Sequence, residues 1–285
     1  MDYLLAKRLH AKYKKINLAS LSFRTFTTLT LCALCASHVM FNVAMASDAE
    51  QQAAGGPPTG FSIGAAVLSS NPSYVGLKAD TIAVPFLGYE GERYYFRGLS
   101  LGRHITRTRT EQLSVSLNLE PFRFRPKESS DLAMQQLDKR GFGASAGVNY
   151  QYNTRFGSVS ADINTEITGR HNGQRANITY SLPLNRPGQR WQLSPEIRLN
   201  YTSKDYIRYY FGVSAEESLR SGLPSYSGGH AFSPAIGLSG YYMFTDNLSV
   251  VGNLRLIRSA SAITNSPMVQ GRSARSLFIA LSYRF

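Results

Sequence analysis

The run Leu113-Ser-Val-Ser-Leu-Asn-Leu-Glu120 sets Leu113, Val115, Leu117 and Leu119 on one side of an extended chain and Ser114, Ser116, Asn118 and Glu120 on the other. A repeat of two is the signature of a strand whose faces meet different surroundings. The same alternation recurs at Phe142, Ala144, Ala146, Val148, Tyr150 and at Val159, Ala161, Ile163. It continues through Trp191, Leu193, Ile197, Leu199, Tyr201, then Ile207, Tyr209, Phe211, Val213, and again at Phe232, Ile236, Leu238, Tyr242 and Leu248, Val250, Leu254, Leu256. Leu277, Ile279, Leu281, Tyr283 and Phe285 close the series. Weaker segments near 60–69, 80–90, 93–105 and 174–184 bring the total to about twelve strands of about ten residues, an even number as a single-chain bacterial outer-membrane barrel requires. Tyr94-Tyr95-Phe96 and Leu99-Ser100-Leu101 do not share one phase, which predicts a bulge near Gly98 within the third strand.

Such alternation fits either a soluble sandwich or a transmembrane barrel, and the polar face decides between them. It carries Glu120, Asp162, Glu166, Glu196, Arg198, Arg208, Tyr210 and Arg255, groups suited to a wet or ion-paired lumen. The segments are longer than ordinary sandwich strands, and aromatics gather at their ends (Tyr150, Tyr152, Trp191, Tyr201, Tyr242, Phe244, Tyr283, Phe285) as in an interfacial girdle. The fold class expected is therefore all-β: a transmembrane antiparallel β-barrel of residues 60–285, closed by its C-terminal strand.

With twelve strands and a periplasmic C-terminus, the connections near 70–79, 217–230 and 260–273 fall outside the cell. Those near 91–92, 170–173, 202–205 and 244–247 fall inside. Barrels have long outer loops and short inner turns. The 125–141 linker breaks that rule by being long and periplasmic. It offers Lys127, Asp131, Leu132, Met134, Leu137, Asp138 and Lys139 as a candidate docking segment, and Ser129–Asp138 reads equally as a short capped helix or a polar loop.

The first 46 residues have the form of a secretory signal: six basic residues against Asp2, the apolar run Phe26–Ala36, and Ala44-Met45-Ala46 as a cleavage site. Residues 47–59 read as a flexible leader. Both cysteines, Cys32 and Cys35, lie inside the signal, so the exported chain would have no disulfide, thiol nucleophile or cysteine-ligated metal. The net charge of +13 is spread in ones and twos beyond the signal, where a nucleic-acid binder would cluster it.

The chain ends Ser276-Leu-Phe-Ile-Ala-Leu-Ser-Tyr-Arg-Phe285. Such a strand resembles the signal read by the barrel-assembly machinery of the outer membrane, with Leu277, Ile279, Leu281, Tyr283 and Phe285 as its outward face. Together with Tyr209-Tyr-Phe-Gly-Val213 and Gly222-Leu-Pro-Ser-Tyr226, this tail makes the chain resemble the MipA/OmpV family over most of 60–285. Members of that family are described as outer-membrane scaffolding proteins for murein synthesis. The resemblance implies a barrel in the outer membrane of a Gram-negative bacterium, in contact with its lipid. It also implies a lytic transglycosylase and a bifunctional murein synthase as partners.

Catalytic and metal-binding patterns are missing from the sequence. His104, His171 and His230 fall in separate segments and read best as solvated loop residues, without a Ser and orienting partner at triad spacing. No His-x-x-x-His or acidic calcium loop occurs. No catalytic residue and no cofactor is expected, and the protein reads as a non-enzyme. The alternative to a scaffold is a narrow outer-membrane channel or small-molecule uptake barrel, which large, oppositely charged inward groups would tend to plug.

Overall fold

The computed structural model describes residues 59–70, 74–78, 80–185 and 188–285. The expected signal segment, and the leader up to Thr59, lie outside these residues.

Twelve strands form one closed antiparallel barrel. In order they are β1 (Gly60–Ser70), β2 (Asp80–Glu90), β3 (Tyr94–Arg97), β4 (Ser100–Arg107), β5 (Glu111–Glu120) and β6 (Gly143–Thr154). The second half comprises β7 (Gly157–Glu166), β8 (Gln174–Ser181), β9 (Trp191–Thr202), β10 (Ala231–Met243), β11 (Leu248–Arg258) and β12 (Ser273–Arg284). Each strand pairs with its sequence neighbours, and β12 closes the wall on β1 from Ser62↔Arg284 to Ser70↔Ser276. Closure leaves no first or last edge, which is what hydrocarbon demands of a spanning sheet.

The wall is inverted relative to a soluble protein. Phe61 (64% exposed), Ile197 (61%) and Ile236 (60%) point outward, while Ser194 and Arg255 (1% each) are buried inside. Tyr150, Tyr152, Trp191, Tyr242, Phe244, Tyr283 and Phe285 are all outward-exposed near the rim that carries the barrel's two chain ends, joined there by Phe61, Tyr89 and Phe156. Among the described residues no helix is long and apolar enough to cross a membrane; the strands do that.

Two expectations fail, and their errors cancel in the strand count. The segment 93–105 is two strands, β3 and β4, turning at Gly98-Leu99 with Gly98 at φ 59°. That positive φ allows a two-residue hairpin and explains the break in phase. The bulge lies instead between His104 and Thr106, where β4 shifts register against β5. The segment 207–213 is not a strand. Lys204–Phe211 forms helix α2, which buries Tyr206, Ile207, Tyr210 and Phe211. These four positions have helical spacing, while Ile207, Tyr209, Phe211 and Val213 alternate, and packing chose the helix.

Every connection between these two errors consequently changes sides. The 125–141 linker, the 167–173 turn and residues 203–230 all stand at the rim opposite the barrel's ends, with 74–78 and 259–272. On the premise that put the linker in the periplasm, a periplasmic C-terminus, it faces outside. On that premise Lys127, Asp131, Leu132, Met134, Leu137, Asp138 and Lys139 stand on the outer side, not the periplasmic one, and the two longest connections, 121–142 and 203–230, are both outer ones.

Candidate functional site

Two layers occupy the barrel interior and its outer mouth: a polar lumen, and above it an apolar cap made of connections. The lumen wall is lined by ion pairs between strands one to three apart. Glu90 accepts from Arg97 Nε at 3.0 Å, lies 2.9 Å from His104 Nε2 and 3.1 Å from Arg107 Nη1. Glu120 accepts from Arg175 Nη2 at 2.7 Å, with His171 Nε2 at 3.5 Å. Arg198 stands 3.5 Å from Asp162, and Arg255 stands 3.4 Å from Glu196. Ser100, Ser116, Asn118, Asn149, Asn164 and Asn177 form a side-chain hydrogen-bond network that ends on Asp162. These large paired groups project into the lumen and narrow it. A polar cavity lined by His104, Gln112, Ser114, Asn149, Gln151 and Asp162 has about 20 Å³, room for about one water.

Of the expected inward groups, Glu120, Asp162, Glu166, Glu196, Arg198 and Arg255 do face the lumen. Arg208 does not: it is exposed on α2 beside Asp205. Tyr210 belongs to the cap. The histidines also depart from expectation, since His104 and His171 are buried and only His230 is solvated.

The cap is a second hydrophobic core. Tyr74, Phe124, Met134, Leu137, Tyr206, Ile207, Tyr210, Phe211, Val213, Ala231 and Met268 are buried together, drawn chiefly from four connections. Phe122 meets Tyr210 edge-on at 4.7 Å, and Tyr74 lies 4.8 Å from Phe124. Buried hydroxyls find acceptors: Tyr74 Oη donates to the Tyr210 carbonyl at 2.9 Å and Tyr210 Oη to the Gly141 carbonyl at 3.1 Å. Burial pushes the Tyr74, Tyr206 and Tyr210 hydroxyls well above the ordinary tyrosine range, so they remain donors.

Local sequence builds the cap's elements. Helix α1 (Leu132–Gln135) starts at Asp131, whose carboxylate accepts from the Met134 amide at 3.0 Å, and it buries Met134 while leaving Leu132 exposed. Helix α3 (Ala215–Ser221) begins with a full capping box between Ser214 and Glu217 and stops at Gly222, φ 75°. Glu217 is the polar centre of the cap, accepting from Arg140 at 2.7 Å and from the Asp138 and Ser214 amides at 2.9 Å each. Burial opposes its ionisation, but these donors outweigh burial and hold the carboxyl below its ordinary range. Arg140 also donates to the Gly212 carbonyl, so one side chain ties the 125–141 linker to the α2–α3 junction and to α3. Val213 and Tyr226 exchange backbone hydrogen bonds at 2.9 Å, bringing together the two motifs Tyr209–Val213 and Gly222–Tyr226. Lys127 and Lys139 are exposed on the cap surface, and Asp138 pairs with Arg220.

The family model for "MltA-interacting protein MipA" matches residues 63–285. The chain belongs to the MipA family. It is 31% identical over 225 residues to the MltA-interacting protein of Escherichia coli K12, a match covering 79% of this chain and 90% of the relative. The putative outer membrane protein YiaT of the same strain is 30% identical over 224 residues, with the same coverage. An outer membrane channel from Pseudomonas putida F1 superposes with a TM-score of 0.42 at 10% identity, covering 81% of this chain and 98% of the channel. The protein is an outer-membrane β-barrel of this family, and its aromatic girdle and inverted wall are the physical expression of that location.

The cap escaped sequence reading because connections have no periodicity. One signal was available: Phe122 and Phe124 between two prolines, and Tyr206, Tyr209, Tyr210 and Phe211 in one short run, are aromatic densities that polar solvated loops lack.

Proposed function

We propose that this protein is a non-conducting, non-catalytic barrel that serves as an outer-membrane docking platform for murein enzymes. The partners proposed are a lytic transglycosylase, as the relative's name MltA-interacting protein suggests, and a bifunctional murein synthase. The observation that carries this reading is the cap: an aromatic core at the outer mouth, above a lumen lined by ion-paired charges, suits a platform better than a pore.

Docking belongs at the rim of the barrel's chain ends, which faces murein when the C-terminus is periplasmic. Its short turns expose Arg93, Arg109, Arg155 and Arg190 beside Glu92, Glu111 and Asp246, a mostly basic edge suited to an acidic partner surface. The test is capture of a purified lytic transglycosylase by the detergent-extracted protein. Charge reversal at Arg93, Arg109 and Arg155 together should lower capture at least tenfold, more at low salt, because rim charges act through screened fields. Deletion of 127–139 should leave capture intact. Equal capture by the charge-reversed protein would refute this docking rim.

The tail is proposed as the assembly signal. Tyr283 and Phe285 point outward at the girdle, their rings 5.2 Å apart, and Leu277, Ile279 and Leu281 continue the same face. Changing both Tyr283 and Phe285 to Ala should lower the yield of heat-modifiable barrel in outer membranes several-fold; an unchanged yield would refute the assignment.

A further inference from the structure

The wall has a window. Strand β2 runs from Asp80 to Glu90, yet only Gly88, Tyr89 and Glu90 pair with β3, which is four residues long. The last backbone bond on that side runs from the Gly98 amide to the Leu87 carbonyl, at 3.1 Å. Above it no described residue pairs with this edge of β2. Across the gap, β5 remains paired with the β4 side up to Leu119, whose amide donates to Leu99. β5 itself ends one residue later, at Glu120, so past the β3–β4 turn the next wall strand from β2 is three strand spacings away, about 14 Å. The gap is bridged on top, where the Ser130 amide and hydroxyl and the Ser129 hydroxyl bond to the Gly76 and Val75 carbonyls.

The edge is built to stay unpaired. Residue 85 shares the orientation of Leu87 towards the gap, and it is Pro85, which has no amide to leave unsatisfied. The outward residues flanking the gap, Thr81, Ala83 and Pro85, are small. Inward, this sector of the lumen is apolar: Ala66, Leu68, Phe278 and Ala280 form a buried cluster, with Ile82, Val84 and Leu99 packed against it and partly exposed. At its foot lies Arg97, opposite Gly88 in register and 3% exposed, with no hydrogen-bond partner for Nη1. The aromatic cap lies over the axial route from outside, whereas this sector borders the unpaired edge of β2.

We infer that the gap between β2 and β5 admits a single-chain anionic amphiphile from the outer leaflet, its alkyl chain lying on Ile82, Val84, Leu99 and Phe278 and its carboxylate reaching Arg97. Bare backbone edges are tolerated at membrane depth only where they line a cavity, so this edge suits a site that holds water or ligand. The chain replaces water on the apolar sector, and the head group completes the guanidinium's hydrogen bonding. This site is independent of the docking rim.

The test uses the full-length mature protein in phospholipid vesicles and a dodecanoate carrying a mid-chain diazirine, with labelled residues located by mass spectrometry. Adducts should fall on Ile82, Val84, Leu99 or Phe278 and be competed away by unlabelled dodecanoate. Leu99→Trp, which fills the sector, should reduce this labelling at least tenfold. Arg97→Gln should reduce it similarly for the carboxylate, while labelling by the matching alkyl alcohol changes less than twofold. Heat-modifiability confirms that each variant is folded. Adducts confined to outward residues such as Leu87 and Leu101, or labelling unaffected by Leu99→Trp, would overturn the site; equal losses for acid and alcohol in Arg97→Gln would overturn the head-group assignment.

Discussion

The barrel wall and the cap use the same residue types in opposite senses. In the wall, Ile197, Leu238 and Tyr283 face out and Ser194, Ser239 and Arg255 face in; in the cap, Phe124, Met134 and Ile207 face in and Lys127, Lys139 and Arg208 face out. Each region buries what its solvent rejects, hydrocarbon for one and water for the other. One chain thus has two cores, an ion-paired one and an aromatic one, meeting at the outer ends of β5, β9 and β11.

The comparison predicts that the two regions fail separately. Phe124→Ala removes a fully buried ring from the cap and should cost it about 3–5 kcal/mol. Limited proteolysis should then cleave the 121–142 and 203–230 connections, while the barrel remains heat-modifiable and protected. Loss of both regions together would show that they are one cooperative unit.

The next largest effect is expected in the wall. Ile197→Arg places a charge near mid-height on the lipid face and should destabilise the barrel by about 2–4 kcal/mol in urea-driven folding into vesicles. The same change at Leu219, which is exposed on the water-facing cap, should cost almost nothing. Similar costs at both sites would undermine the assignment of solvents.

How much of this was legible in the sequence follows the same division. Period-two alternation works wherever a strand separates lipid from lumen, so the wall, its girdle and its closure by β12 could be read from Leu113–Glu120 outward. The β3–β4 turn could not, because a single glycine with positive φ has no pattern. Residues 204–211 satisfy both helix and strand periods, and only packing against Phe122 and Met268 decides between them. Of the candidate site, the lumen's charged residues were readable as a set, but their pairing and the burial of His104 and His171 depend on register. The cap brings distant connections together, and nothing local announces that.

Smaller effects sharpen the cap's polar centre. Glu217 is held below the ordinary carboxylate range, so the opened cap binds the proton more readily than the closed one. Its contribution is therefore present above about pH 4.3 and is lost as pH falls from there through its lowered folded value. Cap proteolysis should rise steeply below about pH 4 and remain flat above pH 5, and Glu217→Gln, costing about 1–3 kcal/mol, should remove much of that dependence. Asp131→Ala removes the α1 cap and should cost about 1 kcal/mol, seen as faster amide exchange at Met134 with little change elsewhere.

The central claim is that the outer mouth is sealed by the loop core. Single-channel recording in planar bilayers tests it most directly. The account predicts that the wild-type protein shows no steady conductance steps, and that Phe124→Ala combined with Met134→Ala gives fluctuating currents as the cap loosens. Steady, sizeable currents from the wild-type protein would contradict it.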